Sequence, residues 1–244
     1  MERMRRALAP TLRHLDRCRT TVWTRLKQAA LWVYGACIRV RVIGRVSLPL
    51  RQGFIVAANH MNGADSLVLQ AALRTRLFFA ASADWFKGRF SRFVMWHICD
   101  AIPVKTGDPY ACTGGLRHCL QALRSGGCIG IYPEGTFHTG GRFGDIKAGA
   151  AWLAVRSGAP ILPVYIRNLR FENQVDGSTR RRECWTGFLT VAGNLFNTDI
   201  ELLVGDPITP SAAGATGSER LQLEVERVNE LLCEELDQLS AASA

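Results

Sequence analysis

Short apolar, β-rich runs that alternate with helical patterns are the feature that most constrains the fold of this chain. Seven runs have the length and composition of strands: residues 53–59, 77–82, 101–104, 128–133, 160–166, 187–193 and 200–208. Helical patterns separate several of them, near residues 65–75, 85–98, 110–125 and 147–157. This alternation predicts an α/β domain with a mixed, mostly parallel sheet flanked by helices.

The basic charge of the chain is confined to its N-terminal segment. The 244 residues carry a formal net charge of +9. Residues 1–45 contain eleven Arg or Lys and two acidic residues, whereas the remainder contains nineteen of each sign. Apolar side chains recur there at three- and four-residue intervals, which predicts a basic amphipathic helical arm. They are Val22, Trp23, Leu26, Ala29, Ala30, Val33, Tyr34, Cys37 and Ile38.

A basic amphipathic helix that contains Trp and Tyr suits the surface of an anionic membrane. We therefore expect a cytoplasmic protein that is peripheral on the inner face of a membrane. The longest uncharged run of the arm has eleven residues, short of the roughly 20 needed to cross a bilayer, and no signal-peptide cleavage site follows it. Two alternatives remain open: a helix packed on the domain with solvated arginines, and a nucleic-acid-binding arm. The segment has no recognisable nucleic-acid motif, so we expect no nucleic-acid partner.

Three regions are predicted along the chain: a membrane-associating arm at 1–45, a single domain at 46–210, and a linker with a C-terminal amphipathic helix at 211–244. The last helix has a capping-box spacing at Thr216 and Glu219. Its apolar face contains Leu221, Val225, Val228, Leu232 and Leu236. The eight cysteines form no CxxC pair. They predict reduced thiols in a cytoplasmic protein rather than a disulfide framework, and no zinc site.

The first chemical motif is the turn that follows the run at 53–59. His60 ends this apolar run, and Asp65 opens the next helical pattern. The spacing lets the carboxylate fold back toward one imidazole nitrogen, which leaves the other nitrogen facing a cleft; such a pair suits general-base catalysis. The alternative is that the histidine and the aspartate only cap a strand and a helix.

A second motif lies in residues 128–166, where a strand runs into Pro133-Glu134-Gly135-Thr136 and then into a glycine-rich loop. Glycine after a strand end lets backbone N–H groups approach a bound anion or a developing oxyanion. Three residues between this turn and the next helix, His138, Arg142 and Lys147, are candidates for neutralising a phosphate. The alternative is a surface turn; no P-loop is present, because no GK[ST] follows the glycines.

Together these motifs resemble the glycerolipid acyltransferase family, whose type member is 1-acylglycerol-3-phosphate acyltransferase. The NHxxxxD block of the family is similar to residues 59–65, and its PEGT block to residues 133–136. Its apolar-Pro-Val block resembles Leu162-Pro163-Val164, and its IPV block resembles Ile102-Pro103-Val104, followed here by Lys105. The blocks occur in the order of the family, over roughly residues 30–208.

The resemblance implies an O-acyltransferase that moves a fatty acyl chain from acyl-CoA or acyl carrier protein to a lysolipid hydroxyl. It implies that His60 deprotonates the hydroxyl and that Asp65 orients His60. The residues that it assigns to substrate binding are Lys105, Glu134, Gly135, Thr136, Arg142 and Lys147. No cofactor, metal or nucleophilic cysteine is implied.

The chain departs from the family where arginines are associated with binding the acceptor phosphate. Phe137 follows the PEGT block, and Lys105 follows the IPV block. The resemblance implies that the acceptor is a lysophospholipid such as 1-acylglycerol-3-phosphate. Because of the two departures, a non-phosphate lysolipid, for example a lyso-aminolipid, is the alternative. A non-catalytic lipid-binding protein on the same fold is the rival from another class.

Overall fold

A central β-sheet organises the molecule. A computed structural model of the chain describes residues 22–44, 53–104, 112–136, 143, 145–169, 189–195, 197, 199–211 and 218–242. Within these residues the sheet has seven strands in the order β1-β7-β6-β2-β5-β3-β4. The strands are β1 (Arg41–Gly44), β2 (Ile55–Ala58), β3 (Leu77–Ser82), β4 (Ala101–Val104), β5 (Cys128–Ile131), β6 (Ile161–Arg167) and β7 (Glu201–Val204).

All neighbouring strands pair in parallel except β6 and β7, which are antiparallel. The prediction of a mixed, mostly parallel sheet flanked by helices is therefore confirmed. The helices are α1 (Val22–Ile38), α2 (Asp65–Leu73), α3 (Arg89–Phe93), α4 (Cys112–Arg124), α5 (Gly149–Ser157) and α6 (Ser218–Ala241). A 3₁₀ turn (Ala83–Phe86) precedes α3, and a π-helical turn (Val94–Ile98) continues it.

Each face of the sheet has its own apolar core. One core contains buried side chains of α4, α5 and α6, and the other contains buried side chains of α1 and α2. Successive strand residues point to opposite faces, so Phe78 belongs to the first core and Phe79 to the second. Burial on both faces explains why the central strands read as continuous apolar runs in the sequence.

The C-terminal helix α6 has the predicted apolar face. Val228, Leu232 and Leu236 are fully buried, and Leu221 and Val225 pack against the same core. The capping residue Thr216 and most of the predicted linker lie outside the described residues.

Two parts of the sequence interpretation differ from the structure. The run at 187–193 was expected to be a strand, but residues 189–193 are helical, and Asn194 N donates to Thr190 O at 3.0 Å. The strand prediction is wrong there because a short apolar run does not distinguish a helix from a strand. Strand β1 was not predicted; all four of its residues are exposed, so it lacks the apolar signature of the central strands.

Helix α1 is held on the domain by specific polar contacts. Lys27 forms an ion pair with Asp100, and Arg76 Nη2 donates to Asp100 Oδ1 at 2.9 Å. The Asp100 side chain is 3% exposed and that of Lys27 is 8% exposed. Trp23 Nε1 donates to His97 O at 3.1 Å. One lysine of the basic arm is thus buried in an ion pair with the domain and is not solvated. The predicted domain boundaries at 45 and 210 stay predictions.

Candidate active site

The site lies where the central strands end. Strand β2 pairs in parallel with β5 on one side and β6 on the other. The carboxyl ends of parallel strands meet at one edge of a sheet, and reactive groups of open α/β folds gather at this edge. The segments that follow β2 and β5 contain the two motifs singled out in the sequence, His60 with Asp65 and Pro133 to Thr136.

Asn59 ties the end of β2 to its neighbour β6. Its side-chain Nδ2 donates to Ile166 O at 2.9 Å, and Ile166 N donates to Asn59 Oδ1 at 2.7 Å. Asn59 is fully buried, so both bonds are shielded from water. They fix the backbone at the residue directly before His60.

The turn between His60 and Asp65 is closed by a second asparagine. Asn62 Oδ1 accepts from Ala64 N at 2.9 Å, and Asn62 N donates to Asp65 Oδ2 at 3.0 Å. Asparagine side chains stabilise such turns by bonding to the backbone two residues further on. Asp65 is the first residue of α2, where the helix dipole favours a negative charge. The carboxylate is thereby aimed back toward His60.

His60 and Asp65 form a close pair of unequal burial. His60 Nδ1 lies 2.7 Å from Asp65 Oδ2; the Asp65 side chain is fully buried, whereas that of His60 is 25% exposed. Burial raises the pKa of the Asp65 carboxyl above its ordinary value, opposed by the hydrogen bonds from His60 and Asn62. A carboxylate at Nδ1 accepts the proton of that nitrogen, and Nε2 is then the basic nitrogen of the ring.

Tyr132 covers one face of the imidazole. The two ring centroids are 4.0 Å apart with an interplanar angle of 6°. Phe79 stacks against Tyr132 in turn, at 5.8 Å and 15°. Sequence reasoning did not single out Tyr132; its position directly between a buried strand and the Pro-Glu-Gly turn was the only available signal.

The Pro-Glu-Gly-Thr turn is compact. Gly135 has a φ of +70°, a conformation that favours glycine, and its N–H donates to Tyr132 O at 3.0 Å. Glu134 is buried, whereas Thr136 is exposed. Because the Gly135 N–H is already bonded to Tyr132 O, it is not available to an anion in this conformation. The role of the glycine here is to allow the turn.

Lys147 lies against this turn. A Cβ added at Gly135 would be 2.6 Å from Lys147 Nζ, so the absence of a side chain at Gly135 leaves room for the ammonium group. Lys147 N donates to Pro133 O at 3.0 Å, which fixes the lysine backbone to the same turn. The structure thus places a cation beside Gly135.

Two predicted substrate-binding residues, Lys105 and Arg142, and the further phosphate candidate His138 lie outside the described residues. Val104, the last described residue before Lys105, ends β4, which is three strands from β2 in the sheet. Strands are spaced about 4.8 Å apart, so β4 and β2 are separated by about 14 Å.

The described part of the site favours neither metal nor Cys128 as a catalytic group. Among the residues that the structure covers, no group of three or more His, Cys, Asp or Glu could hold a metal ion. Cys128 is buried, and burial raises the pKa of its thiol. A nucleophilic cysteine needs the opposite shift.

The molecule has an α/β fold with a partly exposed histidine and a buried aspartate paired at the carboxyl edge of a mostly parallel sheet. The family model described as Acyltransferase matches residues 39–167, which is more than half of the chain. The chain therefore belongs to the acyltransferase family. The matched region includes both motif turns and all strands from β1 to β6.

Two curated relatives agree with this assignment. The chain is 27% identical over 139 residues to 1-acyl-sn-glycerol-3-phosphate acyltransferase of Borreliella burgdorferi, covering 57% of this chain and 54% of that protein. It is 26% identical over 125 residues to the Bacillus subtilis enzyme of the same name, covering 51% and 60%. The chain thus spans little more than half the length of these relatives.

The crystal structure of the 1-acyl-sn-glycerophosphate (LPA) acyltransferase PlsC from Thermotoga maritima matches this fold with a TM-score of 0.55. The match covers 91% of this chain and 86% of that one, at 20% sequence identity. At this identity the comparison supports the fold alone.

Proposed function

We propose that this chain transfers a fatty acyl group from acyl-CoA or acyl carrier protein to a hydroxyl of a lysophospholipid such as 1-acylglycerol-3-phosphate. The His60–Asp65 pair carries the proposal, because a buried carboxylate 2.7 Å from Nδ1 and a partly exposed ring are what a general base at a cleft requires. The names of the Borreliella and Bacillus relatives support this acceptor.

The reaction is a direct transfer. His60 Nε2 takes the proton of the acceptor hydroxyl as its oxygen attacks the thioester carbonyl carbon. The tetrahedral intermediate then collapses, the C–S bond breaks, and the imidazolium returns the proton to the leaving thiolate. Asp65 holds the ring and stabilises its charged form in the intermediate step. No acyl-enzyme is formed, so no nucleophilic side chain takes part.

Lys147 is the group that we assign to the negative charge of the acceptor. Its ammonium lies against Gly135. Gly135 follows β5, and His60 follows the neighbouring strand β2. A lysine supplies a single point charge and not the planar, bidentate clamp of an arginine. Lys105 and Arg142 stay candidates for further contacts with the same phosphate.

A non-phosphate lysolipid is the second candidate acceptor. It is favoured by Phe137, which stands directly after the turn where the family often has an arginine. With such an acceptor, loss of the Lys147 charge would have little effect on acceptor binding.

Turnover by the purified protein tests the reaction class. The panel combines acyl-CoA and acyl carrier protein donors with lysophosphatidic acid and a lyso-aminolipid as acceptors. We expect His60→Ala to lower the rate by about 100- to 10,000-fold, since a positioned general base contributes this much, while the variant remains folded by circular dichroism. A His60→Ala variant that keeps more than about a tenth of the activity contradicts the assignment. A folded wild-type protein that binds these lipids without turnover would favour the non-catalytic rival.

Lys147→Ala separates the two acceptors. With lysophosphatidic acid we expect the KM for the acceptor to rise much more than the KM for the donor. Arg220→Ala is the matched control, because Arg220 is an exposed cation on α6, outside the motif turns. An unchanged acceptor KM in Lys147→Ala, with good turnover of lysophosphatidic acid, excludes Lys147 as the phosphate-binding group.

We further propose that the protein attaches peripherally to the inner, anionic face of a membrane through α1. This helix exposes Val22, Trp23, Leu26, Trp32 and Val33, by 45 to 73%, whereas only Leu31 and Ile38 of its residues are buried. Phe90 and Phe93 of the adjacent α3 are also about half exposed, at 55% and 49%. Within the described part of the chain, no helix is both long and apolar enough to cross a membrane.

Vesicle sedimentation tests this attachment. Leu26→Glu and Val33→Glu should each reduce binding to anionic vesicles. Each places in the apolar face of the helix a polar carboxylate, which has the same sign of charge as the lipid surface. Leu223→Glu is the control, since Leu223 is 61% exposed on α6. If all three variants bind as well as the wild type, α1 is not the attachment surface.

A further inference from the structure

The rings of His60, Tyr132 and Phe79 form one stack across three neighbouring strands. The sheet order places β5 between β2 and β3, and Tyr132 correspondingly lies between the other two rings. Phe79 can back Tyr132 only because its register partner on β5 is Gly130. A Cβ at Gly130 would be 2.3 Å from the Phe79 ring.

The stack constrains a motion that the Asp65 hydrogen bond leaves free. The bond from Nδ1 to Asp65 fixes the position of one ring atom, and by itself it permits the imidazole to tilt about the line that joins the two residues. A face-to-face contact at 4.0 Å and 6° blocks this tilt, because rotation would drive the imidazole edge into the Tyr132 ring. The carboxylate and the aromatic face together determine the direction of Nε2.

The phenol hydroxyl of Tyr132 is not suited to acid–base chemistry. It is buried, and it has no hydrogen-bond partner among the described residues. Burial, followed by the negative charge of Asp65, raises the pKa of Tyr132 well above its ordinary value. The aromatic face is therefore the functional part of this side chain, and a ring face also favours an adjacent cation such as the imidazolium.

We propose that Tyr132 is a positioning residue that holds the His60 imidazole in its reactive orientation. The proposal rests on the proposed function insofar as His60 is the general base, but the ring orientation itself is measurable without turnover.

Two substitutions separate the ring from the hydroxyl. Tyr132→Phe should keep activity within about threefold of wild type, because it retains the stacked face. Tyr132→Leu should lower kcat by at least about tenfold, since small misplacements of a catalytic group have large effects. The KM values for donor and acceptor should change little. Phe79→Leu, which removes the support behind Tyr132, should show the same kcat-selective loss in weaker form.

Phe78→Leu is the matched control. Phe78 is adjacent to Phe79 on β3 but belongs to the core on the opposite face. It should lower the melting temperature without the selective loss of kcat. If it lowers kcat as much as Phe79→Leu, the effect is one of general stability and the proposal fails.

NMR relaxation of ¹³C-histidine-labelled protein gives the readout that is independent of activity. The ring C–H signals of His60, assigned by their loss in His60→Ala, should show an ordered ring in the wild type and in Tyr132→Phe. In Tyr132→Leu they should show a lower order parameter, because the imidazole can then tilt.

An unchanged kcat and an unchanged order of the His60 ring in Tyr132→Leu would overturn the proposal, as would an equal loss of kcat in Tyr132→Phe. If Tyr132→Leu does not fold, Tyr132→Phe and Phe79→Leu decide by the same two measurements. Retained activity in His60→Ala would instead refute the proposed general base and leave the order of the His60 ring as the test of the stack.

Discussion

Replacing Gly135 by alanine tests whether the position of the Lys147 ammonium matters to the reaction. Gly135 has a φ of +70°, and Gly126 has a φ of +79°. Alanine in this left-handed region costs about 1–2 kcal/mol at either position. For a chain of this size, 1 kcal/mol corresponds to about 2–4 °C in melting temperature, so each variant should melt about 2–8 °C lower than wild type.

The two positions differ in what the new methyl group would meet. At Gly135 it would be 2.6 Å from Lys147 Nζ, whereas at Gly126 nothing lies within 4 Å. The ammonium must therefore move by about 1 Å in Gly135→Ala only, to restore ordinary contact distances. A misplacement of this size can reduce catalysis by about 100-fold, so we expect kcat/KM for the acceptor to fall by about 10- to 100-fold.

Steady-state kinetics with the acceptor varied, together with thermal unfolding, provide the assay. Gly126→Ala should show the melting shift without the kinetic defect, because Gly126 lies in the turn that precedes β5, at the opposite end of that strand from the site. The reasoning is refuted if the two variants have the same acceptor kinetics.

Four other substitutions, one of them a control, have distinct expected outcomes. Asp65→Asn should lower kcat by about 10,000-fold, because the amide no longer selects the reactive tautomer of His60. The folded-state pKa of Asp65 is raised, so the ionised carboxylate opposes folding at neutral pH. Thermal unfolding of Asp65→Asn should therefore show an unchanged or higher melting temperature. Asp100→Asn should lower the free energy of unfolding by about 3–5 kcal/mol in urea titrations, since it leaves buried cations without their carboxylate. Asp84→Asn is the control: it breaks an exposed ion pair and should lower the free energy of unfolding by less than about 1 kcal/mol. Burial lowers the pKa of His118 below its ordinary value, so this imidazole binds a proton more readily in the unfolded chain than in the folded one. The stability of the protein should therefore fall as the pH is lowered through about 6.5. His118→Gln should remove that part of the pH dependence.

The central strands were predictable because their periodicity and burial agree. Strands β3 and β4 have the boundaries that the sequence indicates, residues 77–82 and 101–104, since both are bounded by turn residues and none of their residues is exposed, although β4 stands at the end of the strand order. The exposed edge strand β1 and the helical turn at 189–193 could not be predicted, because a four-residue edge strand has no apolar alternation and a short apolar run fits either structure.

The candidate site was predictable only in part. The spacing of His60 and Asp65 was sufficient to anticipate their contact, because both lie in one local turn. The contacts of Tyr132 with His60 and Phe79 depend on the strand order β2-β5-β3, which no local pattern encodes. The same holds for the position of Lys147 against Gly135, which depends on how the following helix returns to the turn.

The paired hydrogen bonds of Asn59 have a consequence for which sequences this fold can accept. The side-chain amide donates to and accepts from Ile166, so it takes the place of a peptide group at the point where β2 leaves the sheet. Aspartate lacks the donor, and glutamine is one methylene too long for the same fit. In a saturation mutagenesis experiment, position 59 should therefore be about as intolerant as position 60, although its amide makes only structural bonds. Intolerance at such a position marks the geometry of a strand end, and it should not be taken as a sign of contact with substrate.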